Sequence, residues 1–341
     1  MRRVVGSTCG RRFLPRQPRG PPPSYTAHEH ANAWLTAPPS ADTPSVALVL
    51  LNTPPRPASA LRQLWSISSY RVCADAAANR LRTSIQLAMG DAETISGTPA
   101  ALRERLERLQ QISRMHESMT PDAVTGDFDS IRPEVLDFYR QRGTRIHHDP
   151  DPNSTDFDKA LRLVEDAQDA AMRSARNCAT PGGSGQHSTT RATRRWTVIA
   201  FGAFGDRFDH ELASINVLHR YRKFERLILM GQRMTASLLM PGRHVIRPNA
   251  LIEGPTCGLL PIGGRVESVW TSGLRWNLRG EALEFGGLVS SSNQMTSDAA
   301  GGIEPISVTT SHPLIWTSVL RPEGWPGAGG REILDSMSGA T

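Results

Sequence analysis

Two patterns of apolar residues divide this chain. In the first, short unbroken apolar runs alternate with stretches of helical period: residues 46–51, 70–74, 196–201 and 227–230 have the length and density of strands buried in a parallel sheet. Helices are expected after each of them. One starts near residue 61, one at Asp75, and one covers 133–142 with Pro133 near its start and Gly143 at its end. Another opens at Asp156, where Phe157, Ala160, Leu161, Val164 and Ala171 make one apolar face, and the last follows Arg207. Leu102, Leu106 and Leu109 form a further stripe in a charged helix that reads as packing. In the second pattern, after residue 230, short strands at 257–261, 266–272, 274–278, 283–285, 306–310 and 314–317 are separated by glycine turns.

Together these patterns predict an α/β fold: a Rossmann-like parallel-sheet domain over residues 45–235, followed by a smaller all-β sandwich domain over 236–320. Residues 1–44, rich in Arg, Pro, Gly and Ser, read as a disordered basic N-terminal arm, and 321–341 as a loose C-terminal tail. Flexible insertions are expected near 83–119 and 177–194.

Composition and charge narrow the function. At 341 residues and 38% hydrophobic content the chain buries a full core. Its longest apolar run, 46–51, is too short to span a bilayer, so no membrane role is expected. The formal charge of +6 matches the six arginines among residues 1–20, which contain no acid. The rest is formally neutral, which argues against nucleic acid as a partner. Cys9, Cys73, Cys178 and Cys257 are far apart, which suits a reducing compartment such as the cytoplasm rather than zinc or a disulfide framework. The Arg-rich start also resembles a mitochondrial transit peptide, although its glycines and prolines oppose an amphipathic helix.

The candidate chemistry lies in four loops that each follow an apolar run and carry Asp75, Asp127 with Asp129, Thr155 with Asp156, and Arg207 with Asp209. In a parallel sheet such loops emerge on one edge and converge. If the backbone is extended at Asp127 and Asp129, both carboxylates project to one side and suit Mg²⁺, which takes its other ligands from water and substrate phosphates. Carboxylates, an arginine fork and glycine turns, without Cys-His or Ser-His pairs, point to a metal-bound phosphoryl or nucleotidyl substrate. Lys159 and Lys223 are the only lysines and there is no Walker A loop, which excludes a P-loop kinase. Asp75 and Thr155 also suit helix caps, and Ser130 or Arg132 the cap of the helix at 133. Asn79 and Arg80 equally suit binding the neighbouring loop, and Trp276 reads as core.

At these residues the chain resembles the eukaryotic thiamin pyrophosphokinases. The matching motifs come in order: Cys73-Ala-Asp with Ala78-Asn-Arg-Leu81, Gly126-Asp-Phe-Asp-Ser-Ile131, Thr155-Asp-Phe with Lys159, Gly205-Asp-Arg-Phe-Asp209, Cys257-Gly-Leu-Leu-Pro261, residues 271–278, Leu288-Val-Ser-Ser-Ser-Asn293 and Pro313-Leu-Ile-Trp316. They span roughly residues 46–320. The resemblance implies pyrophosphoryl transfer from ATP to thiamine, giving thiamine diphosphate and AMP, with Mg²⁺ held by Asp127, Asp129 and Asp156, on a homodimer with shared active sites. It implies catalytic roles for Asp75, Asp127, Asp129, Asp156 and Asp209, and ATP or thiamine contacts for Asn79, Arg80, Ser130, Thr155, Lys159, Arg207, Ser290, Ser292, Asn293 and Trp316. Ala76-Ala77, Asp206, Pro152 and His210 depart from the family pattern. Two other readings fit an Asp-x-Asp loop: a metal-dependent nucleotide-sugar transferase, and a non-catalytic domain that senses thiamine diphosphate or a nucleotide.

Overall fold

The computed structural model describes residues 26–38, 40, 43–90, 103, 119–178, 194–205, 207–298 and 302–327. In chain order the elements are β1 (Ala27–Ala31), β2 (Val46–Leu50), α1 (Ala58–Ile67), β3 (Tyr70–Ala74), α2 (Ala77–Gly90), β4 (Ala123–Gly126), α3 (Pro133–Gln141), β5 (Arg145–His148), α4 (Asp156–Cys178), β6 (Thr197–Phe201), α5 (Phe208–Arg220), β7 (Arg226–Met230), β8 (Met234–Leu239), β9 (Gly242–Arg247), β10 (Glu253–Leu260), β11 (Val266–Ser272), β12 (Arg279–Leu283), β13 (Ser290–Gln294), β14 (Ile306–Thr310) and β15 (Leu314–Leu320).

The apolar runs pair in parallel in the order β7-β6-β2-β3-β4-β5. Side chains alternate across this sheet. Leu48 and Leu50 pack with Leu61, Leu64 and Leu81 on one face, while Ala47 and Val49 pack with Phe157, Leu161, Val164 and Val217 on the other. Helices cover both faces, so strands with no solvent side are apolar throughout. The α/β expectation holds. Among the described residues no helix is long and apolar enough to cross a membrane.

The boundary expected at 235/236 falls inside β8, which is antiparallel to β7 on one side and to β15 on the other. A tight reversal, closed by the Gly231 N–H donating to the Met234 carbonyl, carries the chain from one half to the next without leaving the sheet. One ten-stranded sheet, β13-β10-β15-β8-β7-β6-β2-β3-β4-β5, therefore runs through the whole chain. A second sheet, β1-β9-β14-β11-β12, packs on its antiparallel end. Ile246, Val269, Leu283 and Val308 meet Leu259, Leu314 and Trp316 there.

Three expectations change. Residues 27–31 lie in the segment expected to be unstructured, yet form β1, parallel to β9. Leu35, just beyond, is buried in the core of the α/β half. In the tail, Pro322 and Trp325 are buried as well, Trp325 in that same core. Residues 274–278 form no strand; Leu274 makes one isolated bridge to Met295, while Asn277 caps the loop by donating to the Leu274 carbonyl. The expected insertions lie mostly outside the described residues, as does the stripe at 102, 106 and 109, although α2 and α4 extend into them as far as Gly90 and Cys178.

The reason the start of the chain is ordered is polar as well as apolar. Buried Asn32 donates to Glu253 Oε2 (2.9 Å) and accepts from Arg226 (2.6 Å), whose guanidinium is otherwise enclosed. Deleting residues 1–36 strips Arg226 and Glu253 of a partner and leaves the Leu35 cavity. Unpaired buried polar groups cost ~1–3 kcal/mol each and a Leu-sized cavity about 2–5. A drop in melting temperature of several degrees is expected, and an unchanged melt would show that the arm is dispensable.

Candidate functional site

The loops leaving the carboxyl ends of the parallel strands surround one cleft of about 540 Å³. Leu51, Asn52 and Thr53 follow β2, Asp75 and Ala76 follow β3, and Asp127, Asp129 and Ser130 follow β4. Ser154, Thr155 and Asp156 precede and open α4. Gly202 to Phe204, then Arg207, His210 and Ser214, come from β6 and α5. Such an edge is where open α/β sheets bind ligands.

At its base three carboxylates meet. Oxygens of Asp75, Asp127 and Asp156 all lie within 4.8 Å of one another. Gly126 permits this, since a Cβ there would lie 2.7 Å from Asp75 Cβ, so no larger residue lets the ends of β3 and β4 come this close. Lys159, one turn into α4 and buried, sets its Nζ 3.2 Å from Asp156 Oδ1 and 3.4 Å from Asp127 Oδ2. Three carboxylates and one ammonium leave two negative charges, the complement of a divalent cation.

Electrostatics sharpen that picture. Burial, and then the neighbouring Asp156 carboxylate, push the Asp75 carboxyl up to about 6 against the opposing help of the Ala76 N–H. Asp75 Oδ1 is buried without a hydrogen-bond partner. Burial also raises Asp156, although Lys159 opposes it, whereas the exposed Asp127 is lowered, first by the Asp129 N–H and then by Lys159. Lys159 is disfavoured by its own burial but raised overall by Asp156 and Asp127. An all-oxygen donor set with an orphaned buried oxygen fits Mg²⁺.

The arrangement differs from the sequence argument in one respect. Asp127 to Asp129 is not extended: Phe128 has φ +63°, so alternation does not govern the two carboxylates. Asp129 instead accepts from its neighbour Ser130 (2.7 Å) and is absent from the three-carboxylate group, whose third member is Asp75. Ser130 therefore lines the cleft but caps nothing, and Arg132, at the N-cap of α3, makes no side-chain cap either.

The other candidate residues fall into two groups. Asn79 donates to the Ser130 carbonyl and accepts from the Arg132 N–H, so it ties α2 to the acidic loop. Arg80 donates to Asn52 Oδ1. Thr155 and Asp158 cap the start of α4 reciprocally, with Arg220 of α5 donating to the same Asp158 at 2.8 Å. Arg207 lines the cleft and forms a two-pronged pair with Asp209, which does not line it.

Ser290, Ser292, Asn293 and Trp316 are absent from the cleft lining. Trp316 is 2% exposed, with its ring in the sandwich core, so no face of it is open on this chain. Trp276, expected to be core, is instead 53% exposed. Asn293 explains this: from a buried position it accepts from the Trp276 N–H and donates to the Trp276 carbonyl (2.9 Å), fixing the loop with the indole outward. Arg275 lies over that indole, 4.8 Å from its centre.

Sequence reasoning missed Asn52, Thr53, Phe204 and Glu211 in the cleft, and Trp276 on the surface. The signal for Asn52 and Thr53 was present, since they directly follow the first apolar run. No periodicity marked Trp276.

Two family models match the chain: "Thiamin pyrophosphokinase, catalytic domain" over residues 61–230 and "Thiamin pyrophosphokinase, vitamin B1 binding domain" over residues 243–315. Thiamine pyrophosphokinase 2 of Arabidopsis thaliana is 32% identical over 77% of this chain and 82% of its own length. Thiamine pyrophosphokinase 1 of Oryza sativa subsp. japonica is 34% identical over 83% of this chain and 91% of its own. Among solved structures, the thiamin pyrophosphokinase of yeast aligns with a TM-score of 0.64 at 22% identity, covering 87% of this chain and 92% of that one, a likeness of fold.

Proposed function

The chain belongs to the thiamin pyrophosphokinase family, and from that premise we infer how its residues make thiamine diphosphate and AMP from thiamine and ATP. The observation that carries the reading is the group Asp75, Asp127 and Asp156, with its orphaned Asp75 oxygen, at the base of a cleft large enough for a nucleotide. Neither a nucleotide-sugar transferase nor a sensor is favoured by any feature of that site.

We assign Asp75, Asp127 and Asp156 to hold Mg²⁺. When bound, the ion neutralises charge on the oxygens of the migrating pyrophosphoryl group. The chain's own residues do the positioning. Lys159, held between two carboxylates, keeps the group's net charge matched to one divalent ion and fixes the Asp127 and Asp156 rotamers. Asn79 pins the acidic loop, and Arg80 with Asn52 fixes the neighbouring β2 loop. Arg207 is suited to clamp a phosphate with its fork of donors. Its pair with Asp209 is fully open to solvent and weakened by it, so an arriving phosphate displaces that carboxylate readily. Asp209 then parks and orients Arg207, and touches no reacting atom.

Thiamine is a flat cation, for which an exposed indole face with nearby hydroxyl and amide groups is a suitable receptor. Trp276, with Asn293 bonded to its backbone and Ser290 bonded to Asn293, supplies such a surface, and Ser292 belongs to the same strand, β13. None of these residues lines the cleft of its own chain, which supports a homodimer in which one copy offers the phosphate side and the other the thiamine side. Exposed apolar side chains are found on both: Phe208 and Leu212 on the cleft helix α5, and Phe285 and Leu288 on the sandwich. Free, buried Cys73 and Cys257 suit a reducing compartment, and the cytoplasm is the location we propose.

The test is an incubation with ATP, Mg²⁺ and thiamine, followed by chromatography for AMP and thiamine diphosphate. Both products are expected in equal amounts, and neither when thiamine or Mg²⁺ is withheld. AMP formed at the same rate without thiamine, or thiamine bound but never converted, would overturn the assignment.

A further inference from the structure

We propose that His148 is a positioning residue that locks the acidic loop in the conformation needed for metal binding; the proposal rests on the metal assignment above. His148 ends β5, the edge strand of the ten-stranded sheet, opposite Gly126 in register. From there its ring stacks on Phe128, with centroids 5.3 Å apart and planes 27° apart, and its Nε2 donates to the Asp127 carbonyl at 3.1 Å. Both contacts fall on the two residues that lead out of the strand into the loop.

That placement matters because Phe128 is held at φ +63°. A side chain other than glycine is disfavoured in the left-handed region, and such a conformation persists only where its surroundings over-determine it. Left to itself, residue 128 relaxes toward φ below zero. The peptide planes on either side then rotate, and the Asp127 carboxylate leaves Asp75 and Asp156. The local bonds within the loop, Asp129 N–H to Asp127 Oδ1 and Ser130 Oγ to Asp129, move with it and do not resist the change. Asn79 grips only the far end, at Ser130 and Arg132. At the near end Lys159 holds only the Asp127 carboxylate and the core supports one side of the Phe128 ring, while His148 is the group that touches both residues, as a ring against the aromatic side chain and as a donor on the carbonyl of the preceding residue.

Three full-length variants test this: His148→Ala removes both contacts, His148→Gln keeps a donor, and His148→Phe keeps a ring. The first measurement needs no metal: amide exchange of peptides spanning 126–131 in metal-free protein. We expect it to rise about tenfold in His148→Ala, with little change in the rest of the sheet and in the melting temperature, and to rise less in the other two. The second is Mg²⁺ titration by calorimetry, where His148→Ala should bind about tenfold more weakly, with the Gln and Phe variants in between. In steady-state assays the loss should appear in the Mg²⁺ dependence and not in KM for thiamine. Unchanged exchange of the loop in His148→Ala overturns the proposal. So does faster exchange with wild-type Mg²⁺ affinity, or a general loss of stability that the Gln and Phe variants share in full. Wild-type protein that binds no Mg²⁺ refutes the metal assignment instead, and the loop restraint is then judged on the exchange data alone.

Discussion

Asp127→Asn is expected to lower kcat/KM by at least two to three orders of magnitude while leaving the melting temperature nearly unchanged. The two effects separate because they draw on different interactions. In the folded protein Asp127 is about two-fifths exposed, and its ion pair with Lys159 spans 3.4 Å. Lys159 is enclosed but keeps Asp156 as a partner at 3.2 Å, and removing one of three crowded carboxylates relieves repulsion on Asp75 and Asp156, so the net cost to folding is small. On the proposed metal assignment, the same carboxylate is one of the anions that hold the divalent charge against the phosphates during the reaction. Losing a preorganised electrostatic partner at such a site costs about 3–4 kcal/mol, and each ~1.4 kcal/mol is a factor of ten in rate. Asp129→Asn should do much less, because that carboxylate is turned onto Ser130 and lies outside the group. Thermal melts and Mg²⁺-dependent kinetics on the two variants decide the matter. Near-normal turnover in Asp127→Asn, or equal losses in both, would reject the three-carboxylate assignment.

Trp316→Ala is expected to act on the fold, whereas Trp276→Ala is expected to act on the substrate. Trp316 sits between the two sheets against Leu259 and Leu314, and truncating a buried tryptophan costs ~3–5 kcal/mol. In a chain of this size that corresponds to a fall in melting temperature of roughly ten degrees. Trp276 is about half exposed, with Arg275 over its indole, and is held by backbone contacts from Asn293 that alanine preserves, so its removal should leave the melt within a degree or two. If the indole receives thiamine, KM for thiamine rises severalfold to tenfold in Trp276→Ala with little change in KM for ATP, in keeping with the ~0.5–2 kcal/mol of a cation over an aromatic face. The reverse pattern, an unaltered melt with selective loss of thiamine affinity in Trp316→Ala, would return that tryptophan to the binding surface.

Much of this site is written in short-range patterns. Apolar runs at 46–50, 70–74, 197–201 and 226–230 specify buried parallel strands because only a strand covered on both faces needs no polar side, and polar residues placed directly after such strands must share one edge. That logic places Asp75, Asp127, Asp156 and Arg207 at one cleft. Tertiary structure decided which of them touch. The left-handed turn at Phe128, set by contacts with a strand twenty residues away, rotates Asp129 out of the group, and the close approach of Gly126 brings Asp75 in. It also decided the fates of Trp276 and Trp316, since an indole has no period and its burial depends on what the opposite sheet presents. The same holds for β1. Its sequence, Ala-His-Glu-His-Ala, carries no core pattern, and its order comes from β9 together with the partners of adjacent Asn32, Arg226 and Glu253, some two hundred residues along the chain. A periodicity reports only how a segment presents its own side chains; where the energy lies in hydrogen bonds and charges between distant segments, the folded chain alone supplies the partner.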